Sequence, residues 1–285
     1  MFKSQSSKFK VQSEEFNGFT NHKVQCSKFK VQSKKEVQSK EVMQISLLGK
    51  LLDLLFPRHC LMCGRRLHGP EEMLCTSCLS TLPRTDTWEN PYENEMIKIF
   101  WAHIPIVQCA SLFYYQGHSP ASQSVYALKY GDRPDAGFFL GEMIGKEGIE
   151  RKFFEGIDAI IPIPLTPKRK EKRGYNQSEQ IALGIRRQTQ LPIITDAVRR
   201  VVFTESQTHK NKWQRQENVE HAFQLATYYH DEKGRKHPIT DLTGKHLLIV
   251  DDVCTTGATV NACCQELMKA GKMKFSFTSV GWTKE

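Results

Sequence analysis

The rhythm of apolar and polar positions changes several times along the chain, and each change predicts an element. In "ISLLGKLLDLLF" (45–56), Leu47, Leu48, Leu51, Leu52 and Leu55 recur at helical spacing. Gly49 weakens this helix slightly and Pro57 ends it. From about Ser111 onward, short β-rich runs alternate with helical patterns. "SLFYY" (111–115) reads as a strand. "ASQSVYALKY" (121–130) reads as a helix capped by Ser119 with Pro120 at its first position. A second helical pattern covers 137–154, and "DAIIPIP" (158–164) is a buried strand stopped by its prolines. "NQSEQIALGIRRQ" (176–188) is helical and "AVRRVVF" (197–203) is β-prone. "KHLLIV" (245–250) is a strand with no polar face, so both its sides should be covered. A helix in "GATVNACCQELMKAG" with Gly271 at its C-cap, then a last strand in "KFSFTSVGWT", complete the pattern.

Strands alternating with helices predict an α/β body with a mostly parallel sheet. Ligands of such sheets bind at the carboxyl ends of the strands. The strand at 245–250 is expected to end at Val250 and the next helix to begin near Gly257, leaving Asp251–Thr256 as a loop at that edge. The expected organisation is a tail over 1–42, the short helix with a cysteine-rich module over 43–84, and the α/β domain over 108–285.

Composition changes this picture mainly at the N-terminus. "SKFKVQS" occurs at 7–13 and again at 27–33, with shorter echoes at 23–26 and 36–39. The echoes are unevenly spaced and rich in Lys, Gln and Ser, so they lack the apolar surface needed to offset chain entropy. The tail reads as disordered, as the product of a start codon placed too early, or as a basic nucleic-acid arm. The formal net charge is +9, but nine Lys and four Glu of residues 1–42 put +5 of it in the tail. The remainder is ordinary for its length, so charge alone argues little for nucleic-acid binding. No stretch approaches the ~18–20 apolar residues of a membrane span, and no apolar core follows the N-terminal lysines as in a secretory signal. A cytoplasmic location is the expectation.

The cysteines supply the first candidate chemistry. "CLMCGRRLHGPEEMLCTSC" places Cys60 and Cys63 two residues apart, then Cys75 and Cys78 after eleven more. Each pair lets one tight turn aim two sulfurs at one ion, and two such turns form the thiolate tetrahedron that zinc accepts. Gly64 follows the first pair, where the chain must turn with φ > 0. Four thiolates leave no open coordination position, so the role of the zinc would be structural. An iron–sulfur cluster or a redox pair is the alternative. His59 and His68 are read as bystanders, and Cys26, Cys109, Cys254, Cys263 and Cys264 as small buried apolar residues.

The second candidate is "LLIVDDVCTTGAT" (247–259). Free N–H groups at a helix start attract an anion. Thr255, Thr256 and Thr259 add hydroxyls, and Gly257, just before Ala258, lets the backbone approach closely. Neither a Walker loop nor a dinucleotide fingerprint is present. Asp251 and Asp252 cannot face a phosphate. They suit vicinal sugar hydroxyls, or a divalent cation carried by the ligand. The loop therefore predicts a sugar phosphate. "PIPLTPKRKEKRGYNQ" adds Lys168, Arg169, Lys170, Lys172 and Arg173 in one cationic loop on the same sheet edge, able to hold a diphosphate; the alternative is a solvated charge run.

"LLIVDDVCTTGAT" resembles the phosphoribosyl-pyrophosphate motif of type I phosphoribosyltransferases. The whole order of motifs resembles the ComF family: "LLDLLFPRHCLMCG", "ALKYGDRP", "IPIPLTPKRKEKRGYNQSEQIA", "SQTHKNKWQRQENVEHAF" and the terminal motif, over about 48–282. The resemblance implies a type I phosphoribosyltransferase-like fold joined to a four-cysteine zinc ribbon. Its ligand would be phosphoribosyl pyrophosphate with Mg²⁺. It implies catalytic Asp251 and Asp252, a 5′-phosphate loop at Thr255–Thr259, and diphosphate contacts from Arg173, Tyr175 and Asn176 beside Lys168 and Arg169. It also raises Lys129 as a phosphate contact, and Gln207, Thr208 and Arg215 as part of a lid. Phosphoribosyl transfer to a base or nucleic acid would follow, with a link to competence and DNA uptake, single-stranded DNA and a helicase-like partner. The other class is a non-catalytic DNA-uptake factor whose ligand site is regulatory or vestigial.

Overall fold

The computed structural model describes residues 57–201 and 222–284. The tail, the helix expected at 45–56, and Gln207, Thr208 and Arg215 lie outside the described residues. The described residues from Arg58 onward form one compact unit. In chain order its elements are α1 (Thr76–Ser80), α2 (Glu95–Lys98), β1 (Ile106–Tyr114), α3 (Pro120–Tyr130), α4 (Pro134–Glu150) and β2 (Ala159–Pro162). Then come α5 (Pro167–Arg173), α6 (Gln177–Thr189), β3 (Val198–Arg200), β4 (Phe223–Leu225), β5 (Tyr228–His230) and β6 (Lys236–Pro238). After a 3-10 turn at Ile239–Leu242, β7 (His246–Cys254), α7 (Ala258–Met268) and β8 (Lys274–Trp282) complete the chain.

The main sheet is parallel, in the order β1-β8-β7-β2. Central β7 shows why its sequence had no polar face. Leu247 and Ile249 enter a core with Phe275, Phe277, Phe100 and the inner face of α7. Leu248 and Val250 enter the opposite core with Leu128 of α3, Leu140 and Ile144 of α4, and Ile181 and Ile185 of α6. Each such side chain contributes about 1.5–3 kcal/mol on burial, so helices on both faces hold this strand. The antiparallel pair β3–β4 packs on the α7 side, where Val198 and Phe223 join that core.

Helices α4 and α6 meet backbone to backbone. A Cβ on Gly141 would overlap the carbonyl oxygen of Ile181 and lie 3.0 Å from Gly184 Cα. A Cβ on Gly184 would overlap the carbonyl oxygen of Phe138 and lie 2.7 Å from Glu142 N. Only glycine allows this approach, and it seats α6 deep against the sheet.

Three local expectations change. Strand β7 does not stop at Val250; it runs through both aspartates to Cys254. The reason is its neighbour: Asp251, Val253 and Cys254 pair with Ser279, Gly281 and Trp282 of β8. Backbone pairing holds a strand after its apolar run has ended. The expected loop over Asp251–Thr256 thus shrinks to Thr255–Gly257. The cationic loop is largely a helix, α5. Thr166 caps it, Pro167 opens it, and Gly174, at φ 76°, closes it with an N–H to Lys170 O bond of 2.8 Å. Helix α7 ends at Met268 with Lys269 as its C-cap, so Gly271 lies beyond that position, packed under Thr243.

The cysteine-rich module packs against the α4 side of the body. Leu61, Met62, Leu67 and Leu74 share a core with Trp88, Phe153 and α4. Trp88 and Phe153 meet edge to face at 5.1 Å. Arg84 pairs with Glu147 at 2.9 Å, and Arg133 Nη2 donates to Met73 Sδ at 3.3 Å. No helix among the described residues is long and apolar enough to cross a membrane.

Candidate functional site

The four sulfurs of Cys60, Cys63, Cys75 and Cys78 lie within 4.8 Å of one another. Cys63 and Cys75 sulfurs are 3.7 Å apart. A tetrahedron with metal–sulfur bonds of ~2.3 Å has edges of ~3.8 Å, so the spacing fits zinc. The backbone is shaped for it. Gly64 takes φ 71° as expected, and the amides of Cys75 and Cys78 donate to the sulfurs of Cys60 and Cys75, both at 3.4 Å. Glu71 ties the intervening loop: it accepts from His68 N at 3.0 Å and Thr76 N at 2.7 Å and pairs with Arg65 at 2.7 Å. Those amide bonds hold its carboxyl down at about 2. Cys109, Cys254, Cys263 and Cys264 are buried and free, and burial pushes their thiols up.

The second site is a cavity of about 980 Å³ at the carboxyl ends of β2 and β7. Asp251 and Asp252 lie in its wall with Lys129 at the end of α3, Arg169 and Arg173 of α5, Tyr175, and Thr259 of α7. Side chains alternate direction along a strand. Asp252 Oδ1 pairs with Lys129 Nζ at 2.9 Å. Asp251 Oδ1 accepts from Ser178 Oγ at 3.1 Å and from Asp252 N at 2.9 Å. Burial and the neighbouring Asp252 carboxylate raise Asp251 to about 7, against the pull of Lys129 and its hydrogen bonds. The sequence carried no sign of this shift.

Beyond the acid pair, Thr255 and Thr256 are exposed and Gly257 is buried at φ 71°. Gly257 sits at the N-cap of α7 with no side-chain cap, so the first N–H groups of α7 have no side-chain partner among the described residues. Thr259 lines the cavity; Thr255, Thr256, Gly257 and Ala258 are not part of its lining.

The cationic residues divide. Arg169 and Arg173 line the cavity, joined by Lys172. Lys168 instead lines a separate groove with Pro164, Val198 and Arg199, and Lys170 turns to Glu179 at 3.2 Å. The turn of α5 distributes its charges around an axis, which a loop reading could not anticipate. Tyr175 lines the cavity, but its hydroxyl donates to Leu128 O at 2.6 Å. Asn176 is buried and occupied elsewhere: its amide donates to Ile163 O at 3.0 Å and its oxygen caps α6 at Ser178 N. It positions the start of α6 and is not part of the cavity lining.

Three residues that the sequence reading passed over also reach the cavity: Ser178, Gln177 and Arg200. Gln177 is buried, accepts from Arg173 at 2.8 Å, and leaves its amide nitrogen without a partner among the described residues. Arg200 lies over Phe223, 5.3 Å from the ring centroid. Burial, with Arg169 nearby, lowers its pKa, and no carboxylate pairs with it among the described residues. The signal existed: two residues on from buried Val198, Arg200 shares the inward face of β3.

Comparisons with known proteins agree with this division. Residues 153–281 match the phosphoribosyl transferase domain, and residues 51–88 match the double zinc ribbon domain. Within 51–88 there are only four cysteines, enough for one four-thiolate ion. The chain is 29% identical over 155 residues to the DNA utilization protein YhgH of Shigella flexneri, covering 53% of this chain and 63% of that protein. It is 33% identical over 114 residues to competence protein F of Haemophilus influenzae, covering 40% and 45%. It is 29% identical over 113 residues to competence protein ComFC of Bacillus subtilis, covering 40% and 39%. The matches thus span from about two-fifths to just under two-thirds of these relatives.

Proposed function

We propose, from the premise that this is a ComF-like protein joining a four-cysteine ribbon to a phosphoribosyltransferase-like domain, that its cavity binds phosphoribosyl pyrophosphate with Mg²⁺. The observation that carries this is the meeting, in one cavity, of two carboxylates with Arg169, Lys172 and Arg173, none of which pairs with a carboxylate among the described residues. Asp251 and Asp252 would accept hydrogen bonds from the ribose 2- and 3-hydroxyls. The uncapped start of α7, with the Thr255–Thr259 hydroxyls, would take the 5′-phosphate. Arg169 and Arg173 would receive the diphosphate.

Transfer would break the C1–oxygen bond to diphosphate and form a C1–nitrogen bond to an acceptor, whose proton leaves to solvent. The transition state gathers positive charge on the ribose, so an ionised Asp251–Asp252 pair favours it electrostatically. Positioning supplies much of the rest. Mg²⁺ would offset charge on the departing diphosphate. Zinc at Cys60, Cys63, Cys75 and Cys78 would be structural, since four thiolates leave no position for substrate.

Calorimetric titration of phosphoribosyl pyrophosphate with Mg²⁺ tests the reading. Wild type should give a heat of binding, and Asp251→Asn/Asp252→Asn should weaken it strongly. Absence of heat with wild type would overturn the assignment. The relatives' names, competence and DNA utilization, favour a second reading: a DNA-uptake factor in which the same ligand regulates rather than reacts. Binding without diphosphate release in the presence of bases or single-stranded DNA would select that reading.

A further inference from the structure

The acceptor has no site in that scheme, and one cation of the cavity has no role in it. Arg200 comes from β3, not from the cation-rich α5, and faces Phe223 across the β3–β4 ladder. Its guanidinium lies 5.3 Å from the centroid of that buried ring. One residue further on, Val201 N donates to Ala222 O at 2.8 Å, so the backbone from which Arg200 projects is held on both sides. Leu165 and Arg200 line both the cavity and the neighbouring groove past Pro164, Val198 and Val201. They therefore form the wall between the two. Ile163, just beyond β2, adds a buried apolar side chain on the cavity side.

The charge of Arg200 goes unanswered in the free protein. Burial lowers its pKa, Arg169 adds to that, and Asp251 opposes them only in part. No carboxylate pairs with it among the described residues. A guanidinium that gives up water without gaining a counter-ion weakens the folded state, and a docking anion removes that penalty. The surroundings select the kind of anion. Arg169 and Arg173 stand on α5 ready for a hydrated diphosphate. Arg200 instead stands on a ring face beside Leu165 and Ile163, a setting that suits a flat ring with one charged group. The guanidinium fork matches a carboxylate with two parallel N–H bonds. Asp251, which acts on Arg200 through space, holds the ribose in the donor scheme. A ring anchored on Arg200 thus lies on the ribose side of the cavity.

We propose that Arg200, with Leu165 and Ile163, forms the acceptor site, and that it selects a flat nitrogen compound bearing a carboxylate. This site rests on the sugar-phosphate reading for the donor beside it. In the transfer, the lone pair of the acceptor nitrogen forms the bond to C1 while the C1–oxygen bond breaks and its electron pair leaves on the diphosphate. A proton on that nitrogen goes to solvent. The carboxylate stays on Arg200 throughout and orients the ring.

Calorimetry on the full chain tests this with three pairs of probes: orotate and uracil, nicotinate and nicotinamide, anthranilate and aniline. Each pair shares a ring, and only the first member carries a carboxylate. In wild type at least one acid should bind roughly tenfold or more tighter than its neutral partner, as expected of a charge-assisted pair. Arg200→Gln should lose that preference, and Arg200→Lys, which keeps the charge without the fork, should keep part of it. With phosphoribosyl pyrophosphate and Mg²⁺ present, the preferred acid should drive release of diphosphate. No preference in any pair, or a preference that survives in Arg200→Gln, would overturn the site. Preference without diphosphate release would overturn its role as the acceptor site. Displacement of the acid by an equal concentration of inorganic phosphate would overturn the choice of a carboxylate. Phosphoribosyl pyrophosphate is titrated into Arg200→Gln in parallel. Retained heat shows an intact fold and donor site; heat weakened as strongly as in Asp251→Asn/Asp252→Asn would make Arg200 a diphosphate contact and overturn the proposal. Missing heat in wild type, with the preference for an acid intact, sinks the donor assignment and leaves a carboxylate site at Arg200.

Discussion

Replacing Asp251 with asparagine should stabilise the ligand-free protein at neutral and alkaline pH, by an amount that grows with pH. The carboxyl is raised from 3.8 to about 7 by burial and by Asp252. At ~1.4 kcal/mol per pH unit this is ~4 kcal/mol between its two forms. Solvent and coupling to Asp252 reduce the effect, so a measured difference of about 2–4 kcal/mol is expected. The sign follows from the direction of the shift. A carboxyl that binds its proton more tightly in the folded state contributes most below its unfolded pKa, near 4. That contribution drains away as pH rises through 7. Asparagine does not titrate and keeps an oxygen for Ser178 Oγ and Asp252 N. Urea denaturation of both proteins at intervals from pH 4 to 8 gives the difference directly, with titrating groups remote from Asp251 cancelling and the coupling to Asp252 included in the difference. Near zero at pH 4 and rising to its plateau above 7 is the expected curve. A flat difference, or a variant less stable throughout, would refute a strained carboxyl in the wall of the cavity.

The other expectations concern the scaffold. Gly141→Ala and Gly184→Ala should each cost about 1–3 kcal/mol despite the ~1 kcal/mol that alanine adds to a helix, because the added carbon meets backbone that cannot rotate away. Gly137→Ala should be milder, since it meets the side chains of Gln180 and Leu128; thermal melts of the three rank the idea. Protein purified without chelators should carry one zinc per chain by elemental analysis, and Cys63→Ser should lose it. Because the ribbon shares a core with Trp88 and Phe153, the same substitution should lower the melting temperature of the whole unit rather than produce a separate early transition.

The alternation of strands and helices, the parallel sheet and the capped start of α3 were legible because they are local or periodic. Ser119 caps α3 through Ser122 N and Pro120 opens it, as the letters suggest. The four cysteines announced their cluster by spacing alone. What escaped was of two kinds. The extent of β7 depends on β8, whose paired residues lie 28 positions further along the chain, and apolar runs mark burial rather than pairing. Helix α5 did carry its own marks, Thr166, Pro167 and Gly174, but five cations in seven residues outweighed them in the reading. The division of those cations between a cavity and a separate groove follows from that helix. The cavity's least visible members, Ser178 and Arg200, come from elements far apart in the chain, and only the fold brings them to Asp251.

The extension of β7 through the acid pair also bears on the entropy of binding. Had Asp251–Cys254 been a loop, a ligand would have had to order four residues on arrival, each at roughly 1–2 kcal/mol of lost backbone freedom. In the ladder with β8 that ordering is complete before any ligand appears. The energy of each hydrogen bond to a sugar then goes into affinity instead of into fixing the chain. Only the short turn at Thr255–Gly257 is left to adjust.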